Sequence, residues 1–421
     1  MQLQRVLGFA TSVTLALGPS PTSASASQAN RNLTVLDNEF THLLPLPFEG
    51  NLTRDFLDGT TLENQTVASA LANAQRTAFV SYDREFTQLI GSATLDLIVP
   101  DAPFPNGEAG IWVPDLNQVW FVTTLYGGPT KLFILFMDNS TVAEPQLIST
   151  PGYGTHIPLA NPAGGYYFNG TVYLALVGTD QEPASLVAVD PKTLVVRPVV
   201  NSYFGLEMPP IDDLIVTYTN TSRGIEMHIY FSTLDLAAFG LTVGRPAAVL
   251  PNAFWKFTPE TGALQPIIPR ADILIPNGVA VTKDFRHLFV TDTSATASVG
   301  GGAMWNVTGS PAIYRYDLSP VDGLVSNKVL FGMTREGVSD GIKVDDKGRV
   351  WTAEYEGIVV RNSVGKVIGL FNKEVILGTQ TPVAEMANFA LAGNTLVLMA
   401  LDKIYAVKLS ETVVDPGRYT V

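Results

Sequence analysis

The chain has 421 residues, of which 46% are hydrophobic and 15% charged, and its formal net charge is −13. It therefore has apolar content for a large core but no Lys/Arg cluster able to neutralise phosphates, which excludes nucleic acid as a partner. With no cysteine at all, neither a disulfide framework nor a thiolate metal site is available.

The N-terminus carries Arg5, an apolar run from Val6 to Leu17, and small residues at Ala24 and Ala26. This is the pattern of a secretory signal peptide over residues 1–26, and the run is too short for a membrane span. No later segment is long and apolar enough to cross a bilayer, so a secreted or secretory-lumen protein without a membrane span is expected. Asn-X-Ser/Thr sequons at Asn32, Asn51, Asn64, Asn139, Asn169, Asn220 and Asn306 agree with that compartment and are candidate glycosylation sites.

Residues 27–78 lack any repeat and read as an arm or cap. Within them TLENQTVASALANAQRTAF, with Thr60 and Thr61 before Glu63, predicts a capped short helix. The alternating stretches FVSYDREFTQLI and LDLIV, between Phe79 and Val99, are expected to open the main domain and pair with the last strands to close it.

From there to residue 421 a unit recurs six times: a turn with a polar or glycine residue, an apolar strand, a tight turn and a second apolar strand. The copies begin near Glu108, Gly165, Asp212, Asn277, Asp340 and Asn388, and AIYRYDL, GIVVRN and KIYAVKL supply further strands after the last three. Repeats of this period predict an all-β fold, a six-bladed β-propeller over residues 79–421 with a short N-terminal arm. Such a fold places six equivalent strand starts around one central opening. Two irregular stretches interrupt it. Ser232–Pro259 is apolar and rich in Gly and Pro, and either lines a pocket or packs on a blade; Ser298–Pro311 is a second loop on the same side.

The strand starts hold Glu108, Asp212 with Asp213, Asn277 and Asp340. Carboxylates and an amide oxygen suit a hard divalent cation such as Ca²⁺ or Mg²⁺. The alternative for any single one is an acidic turn residue bonded to local backbone; recurrence at equivalent places favours a site. His228 and His287 fall on strands, whereas His156, before the second repeat, is placed to face the channel. Gly300–Gly302 lacks the setting of a phosphate loop, and no Gly-X-Ser-X-Gly elbow is present.

IPNGVAVTKDFRHLFVTDT and SDGIKVDDKGRVWTAEYEGIVVRNSVGKVIGLF closely resemble motifs of the senescence-marker-protein/gluconolactonase, or regucalcin, family. SYDREF at Ser81, GEAGIWVP at Gly107, NPAGGYYFNGTVYLA at Asn161 and NSYFG at Asn201 extend the resemblance, which is nearest to secreted fungal lactonohydrolases. It implies one divalent cation, usually calcium, in the central channel, with Glu108, Asn277 and Asp340 as ligands. Asp340 is then also the general base for opening a lactone, with Asp212 or Asp213 orienting the substrate. Three positions depart from the family pattern: Asp212-Asp213 stands for Asn-Asp, Gly107 for His and Ala163 for Asn.

The leading expectation is a metal-dependent lactone hydrolase acting on a small cyclic ester. The alternative, drawn from fungal propellers resembling the same superfamily, is a hetero-Diels–Alderase of meroterpenoid biosynthesis. In it an apolar pocket, including Phe239 and Trp255 of the irregular stretch, would orient the reactants. A binding propeller without catalysis is the third.

Overall fold

The computed structural model describes residues 33–36, 38–43, 48–49, 61–62, 64–124, 128–149, 159–234, 248–299, 302–305, 308–378 and 386–421. Residues 1–26, the sequons at Asn32, Asn51 and Asn306, His156 and Phe239 lie outside them.

The six repeats fold as six four-stranded antiparallel blades. Blade 1 comprises Asn106–Val113, Gln118–Thr123, Leu132–Phe136 and Thr141–Ala143. Blade 2 comprises Pro162–Phe168, Thr171–Leu176, Ser185–Val189 and Val195–Val200, with Ile148–Ser149 added at its outer edge. Blade 3 has Ile211–Thr221, Gly224–Thr233, Ala253–Thr258 and Ala263–Pro269, and blade 4 has Pro276–Val281, His287–Asp292, Ala312–Leu318 and Val325–Met333. Blade 5 is built from Ser339–Val344, Val350–Glu354, Gly357–Arg361 and Val367–Asn372. Blade 6 takes Phe389–Ala392, Thr395–Ala400 and Lys403–Lys408 from the C-terminal end and its outer strand, Asp96–Val99, from the N-terminal end.

That last pairing closes the ring: Leu97 stands opposite Tyr405 and Val99 opposite Ile404. The first strand of blade 1 is also tied to blade 6, through Asn106 N–H to Leu401 O at 2.9 Å. The two chain ends thus share one sheet. The innermost strands contact one another in cyclic order from blade 1 round to blade 6 and back to blade 1.

Segments expected to be strands or loops are partly redistributed. Helix α1, Gln65–Ala74, is capped by Asn64, whose side-chain carbonyl accepts from Thr66 N and Val67 N, rather than by Thr60 or Thr61. It packs Leu71 and Ala74 against Val80, Val359 and Leu370 of blade 5. FVSYDREFTQLI is not one alternating strand: Phe79–Ser81 adds to the outer edge of blade 5, and helix α2, Arg84–Ile90, follows from an Asp83 cap. The tail of the irregular stretch, Ala253–Thr258, is the third strand of blade 3, and part of the second stretch is a short hairpin, Thr296–Val299 with Gly302–Trp305.

The register of the first two strands slips at the same place in five blades: at Asn106–Ile111, Pro162–Gly165, Ile211–Leu214, Pro276–Val279 and Ser339–Ile342. These are bulges, which leave residues out of the ladder and re-aim their side chains. In blades 3, 4 and 5 the residues left out are Asp212 with Asp213, Asn277 and Asp340, singled out in the sequence, whereas Glu108 pairs with Val122 between the two slips of blade 1. Hydroxyls on the second strands hold the bulges in shape. Thr291 Oγ1 accepts from Gly278 N at 2.8 Å and donates to Asp340 O at 3.2 Å, while Ser232 Oγ accepts from Asp213 N at 3.2 Å.

Glycine then lets one bulge touch the next. A Cβ on Gly278 would lie 2.2 Å from Asp340 O, one on Gly164 2.2 Å from Asp213 Oδ1, and one on Gly110 2.1 Å from Phe389 O. Gly278→Ala should therefore cost about 2–4 kcal/mol of unfolding free energy, since backbone rather than a movable side chain is in the way. Gly107→Ala, which meets only Thr124 Cγ2 at 3.2 Å, should cost much less. Urea denaturation of both variants checks this, and equal losses would refute the close-approach argument.

Candidate active site

The bulged ends of the innermost strands surround one mouth of the central channel. Asp212, Asn277 and Asp340 occupy matching places in blades 3, 4 and 5, and blade 2 offers Ala163 there. The next position is Gly164, Gly278 and Gly341 in blades 2, 4 and 5 but Asp213 in blade 3. Asp213 is 7% exposed, against Gly164 of the neighbouring blade. Glu108 enters from the double bulge of blade 1.

A lysine draws these acids together. Lys343, on the innermost strand of blade 5, reaches across to blade 1 and donates from Nζ to Ala109 O at 3.3 Å. Burial lowers its ammonium from the usual lysine range, and the charges of Asp213, Glu108 and Asp340 oppose that. Three of the expected site residues therefore face one ammonium. Burial raises the Asp212 carboxyl to about 8, helped by the charge of Asp213. Burial also raises Asp213, to about 6, with Lys343 pulling the other way. Near pH 7 the third blade thus presents a carboxylic acid beside a carboxylate.

Asn277 is 6% exposed, and its side-chain carbonyl is buried without a hydrogen-bond donor. Among the described residues no three His, Asp or Glu side chains group as a metal site by themselves. A cation here would need the amide oxygen of Asn277 as well as the acids.

The opposite mouth is shut by the C-terminus. Asp415 caps the turn Pro416–Tyr419, and Arg418 donates to Val344 O at 2.8 Å and Val281 O at 2.9 Å, the far ends of the innermost strands of blades 5 and 4. The Tyr419 ring packs between Trp112, Tyr166 and Tyr167, at 5.5–6.1 Å between centroids. Between this plug and the acids remains a cavity of about 40 Å³, lined by Asp213 and Lys343 among apolar residues, enough for a water or two.

Other expected residues lie elsewhere. Trp255, expected to contact substrate, is 2% exposed inside blade 3, stacked on Phe231 and bonded through Nε1 to Thr233 Oγ1, and presents no face to the channel. Its place in an alternating strand, Phe254-Trp255-Lys256, accounts for the difference. His228 is buried between Thr219 and Thr258. Glu354 is paired with Arg361 inside blade 5 and Glu356 with Arg335. The sequons at Asn64, Asn139, Asn169 and Asn220 are exposed.

Lys343 and the Arg418–Tyr419 plug were not foreseen. Lys343 had a readable signal: beyond the bulges it is the only charged residue in the six innermost strands. The plug had none, because PGRYTV repeats nothing else in the chain.

The fold and site together define a six-bladed propeller with a single-mouthed acidic channel. Residues 245–400 match the family model of the SMP-30/Gluconolactonase/LRE-like region. Lactonohydrolase oryH of Aspergillus oryzae is 25% identical over 385 residues, 76% of this chain and 80% of its own length. A gluconolactonase from Xanthomonas campestris shares the fold at 19% identity, with a TM-score of 0.57 over 78% of this chain and 93% of that one. A calcium-binding regucalcin from Agrobacterium tumefaciens does so at 14% identity, with a TM-score of 0.51 over 76% of this chain and 95% of that one.

The raised Asp212 carboxyl has a consequence for stability. Its folded pKa, about 8, exceeds the unfolded value of 3.8, so the group destabilises the fold progressively as pH rises from about 4 through about 8. In chelator, Asp212→Asn should lose less stability than the parent between pH 5 and 8.5, by on the order of 1–3 kcal/mol. Parallel denaturation curves over that interval would contradict the assignment.

Proposed function

We propose that the protein hydrolyses a small cyclic ester, a lactone, at the open mouth of the channel, with a divalent cation, Ca²⁺ in the first instance, as cofactor. The observation that carries this reading is that the charges of Glu108, Asp213 and Asp340 all bear on the one Lys343 ammonium in the channel, with the donor-less carbonyl of Asn277 in the matching bulge. Lactonohydrolase is also the activity that the fungal relative is named for.

The residues present fit a hard cation. All the side chains offered are oxygen donors, and a buried amide oxygen without a donor is most simply satisfied by a positive ion. Glu108, Asn277 and Asp340 would hold it, and it would supply polarisation of the lactone carbonyl when bound. Asp340 takes a proton from the attacking water as oxygen adds to the carbonyl carbon. As the ring C–O bond breaks, Asp212, protonated near neutral pH, donates its proton to the departing ring oxygen. The proton on Asp340 then restores Asp212, and the new carboxylic acid releases its own proton to solvent. Overall, lactone and water give a hydroxy-carboxylate and one proton. Asp213, held as a carboxylate opposite Lys343, orients the substrate hydroxyls.

Among the described residues nothing favours the cycloaddition alternative: the irregular stretch ends in a blade strand, and Trp255 is core. Passage through the secretory pathway, with cleavage after Ala26, belongs to the same proposal, and N-terminal sequencing of protein recovered from the medium tests it.

On a panel of aldonolactones and simple alkyl lactones, chelation should abolish turnover and added Ca²⁺ restore it. Asp340→Ala should lower kcat by about 10²-fold or more, and activity should fall as pH rises through about 8, where Asp212 loses its proton. Full turnover after exhaustive chelation would defeat the metal-dependent reading.

A further inference from the structure

We propose that the Lys343 ammonium and a divalent cation neutralise the same set of carboxylates and compete for them, so that Lys343 sets how tightly the channel holds its metal. The inference rests on the metal-dependent reading above and adds to it the residue that limits affinity.

The geometry has three parts. Lys343 starts low on the innermost strand of blade 5, three residues after Asp340, and its Nζ ends at Ala109 O, 3.3 Å away, next to Glu108 on blade 1. Blade 6 lies between blades 5 and 1, so the side chain reaches between two blades that are not neighbours. Its charge is felt by Asp213, Glu108 and Asp340, acids from three blades.

The energetics follow from the signs. Acids converging in a partly buried space repel one another, and the resident ammonium relieves part of that repulsion. A divalent ion arriving among them meets acids already partly neutralised and is itself repelled by the ammonium. At an effective dielectric of about 20, a unit charge as far as about 10 Å from a divalent ion still changes its affinity by roughly tenfold or more. Retaining the lysine makes the apo channel tolerable and the holo channel weaker.

The test is calorimetric titration of metal-stripped full-length protein with Ca²⁺, paired with Ca²⁺-dependent thermal shifts, in the parent and in Lys343→Gln. Removing the ammonium should tighten Ca²⁺ binding by about tenfold or more, lower the apo melting temperature, and enlarge the shift produced by Ca²⁺. Equal, non-zero affinities in both proteins would overturn the competition while leaving the metal reading standing. Absence of binding in both would overturn the competition and the metal reading together. Should Lys343→Gln alone fail to fold, the comparison of Asp213→Asn with Asp213→Asn/Lys343→Gln removes the lysine in a background with one acid fewer. The double variant should bind Ca²⁺ about tenfold or more tightly than the single, and equality there would overturn the proposal.

Discussion

The close approach of successive bulges around the axis is the constraint on which the rest of the molecule depends. Gly278 against Asp340 O, Gly164 against Asp213 and Gly110 against Phe389 O leave no room for a Cβ. Wider spacing at these points would move the blades apart and open the packed interior of large side chains such as Trp120, Trp351 and Phe371 to water. The same approach crowds the carboxylates. Packing of the ring and the electrostatic difficulty of the site are two results of one geometry.

That difficulty accounts for the unusual residues nearby. Acids from blades 1, 3 and 5 share a space that water enters from one side, so some compensation is needed. The chain uses two kinds: a proton retained on Asp212 and the ammonium of Lys343. Asp213 is where the third blade breaks the pattern of its neighbours, carrying an acid where blades 2, 4 and 5 have glycine. It is also the acid whose carboxyl Lys343 most directly holds down. The two departures from the repeat stand opposite one another.

The blades were legible in the sequence because each repeats one short pattern, and the bulged strand starts because polar residues there interrupt apolar strands. Asp96–Val99 as the closing strand was legible for the same reason. Helix α2 was not, because Tyr82–Ile90 alternates well enough to imitate a strand until Asp83 is recognised as a cap. Trp255 misled in the opposite way: its surroundings are rich in Gly and Pro, and the short strand around it is visible only once its partner, Gly224–Thr233, is known. The site's acids could be listed from the repeat; Lys343 stood out there only as the one charge in the innermost strands beyond the bulges, with nothing to say that it partners those acids. Lys343 belongs to the site by the reach of a long side chain across the axis, which spacing along the chain does not encode. Arg418 acts through the carbonyls of Val281 and Val344, at the far ends of the innermost strands of blades 4 and 5, which only the closed ring brings within its reach.

The plug bears on how a hydrolytic channel would work. With one end covered by Arg418 and Tyr419, substrate and product of such a reaction would share the other mouth, where the acids stand. A neutral lactone meets no charge barrier on entry. Its product is a carboxylate, which Asp213, the acid outside the proposed metal set, would repel toward solvent. A neutral ring-closed substrate would thus be distinguished from its opened form by charge, and a cation held less tightly beside Lys343 would leave less positive charge to retain that product.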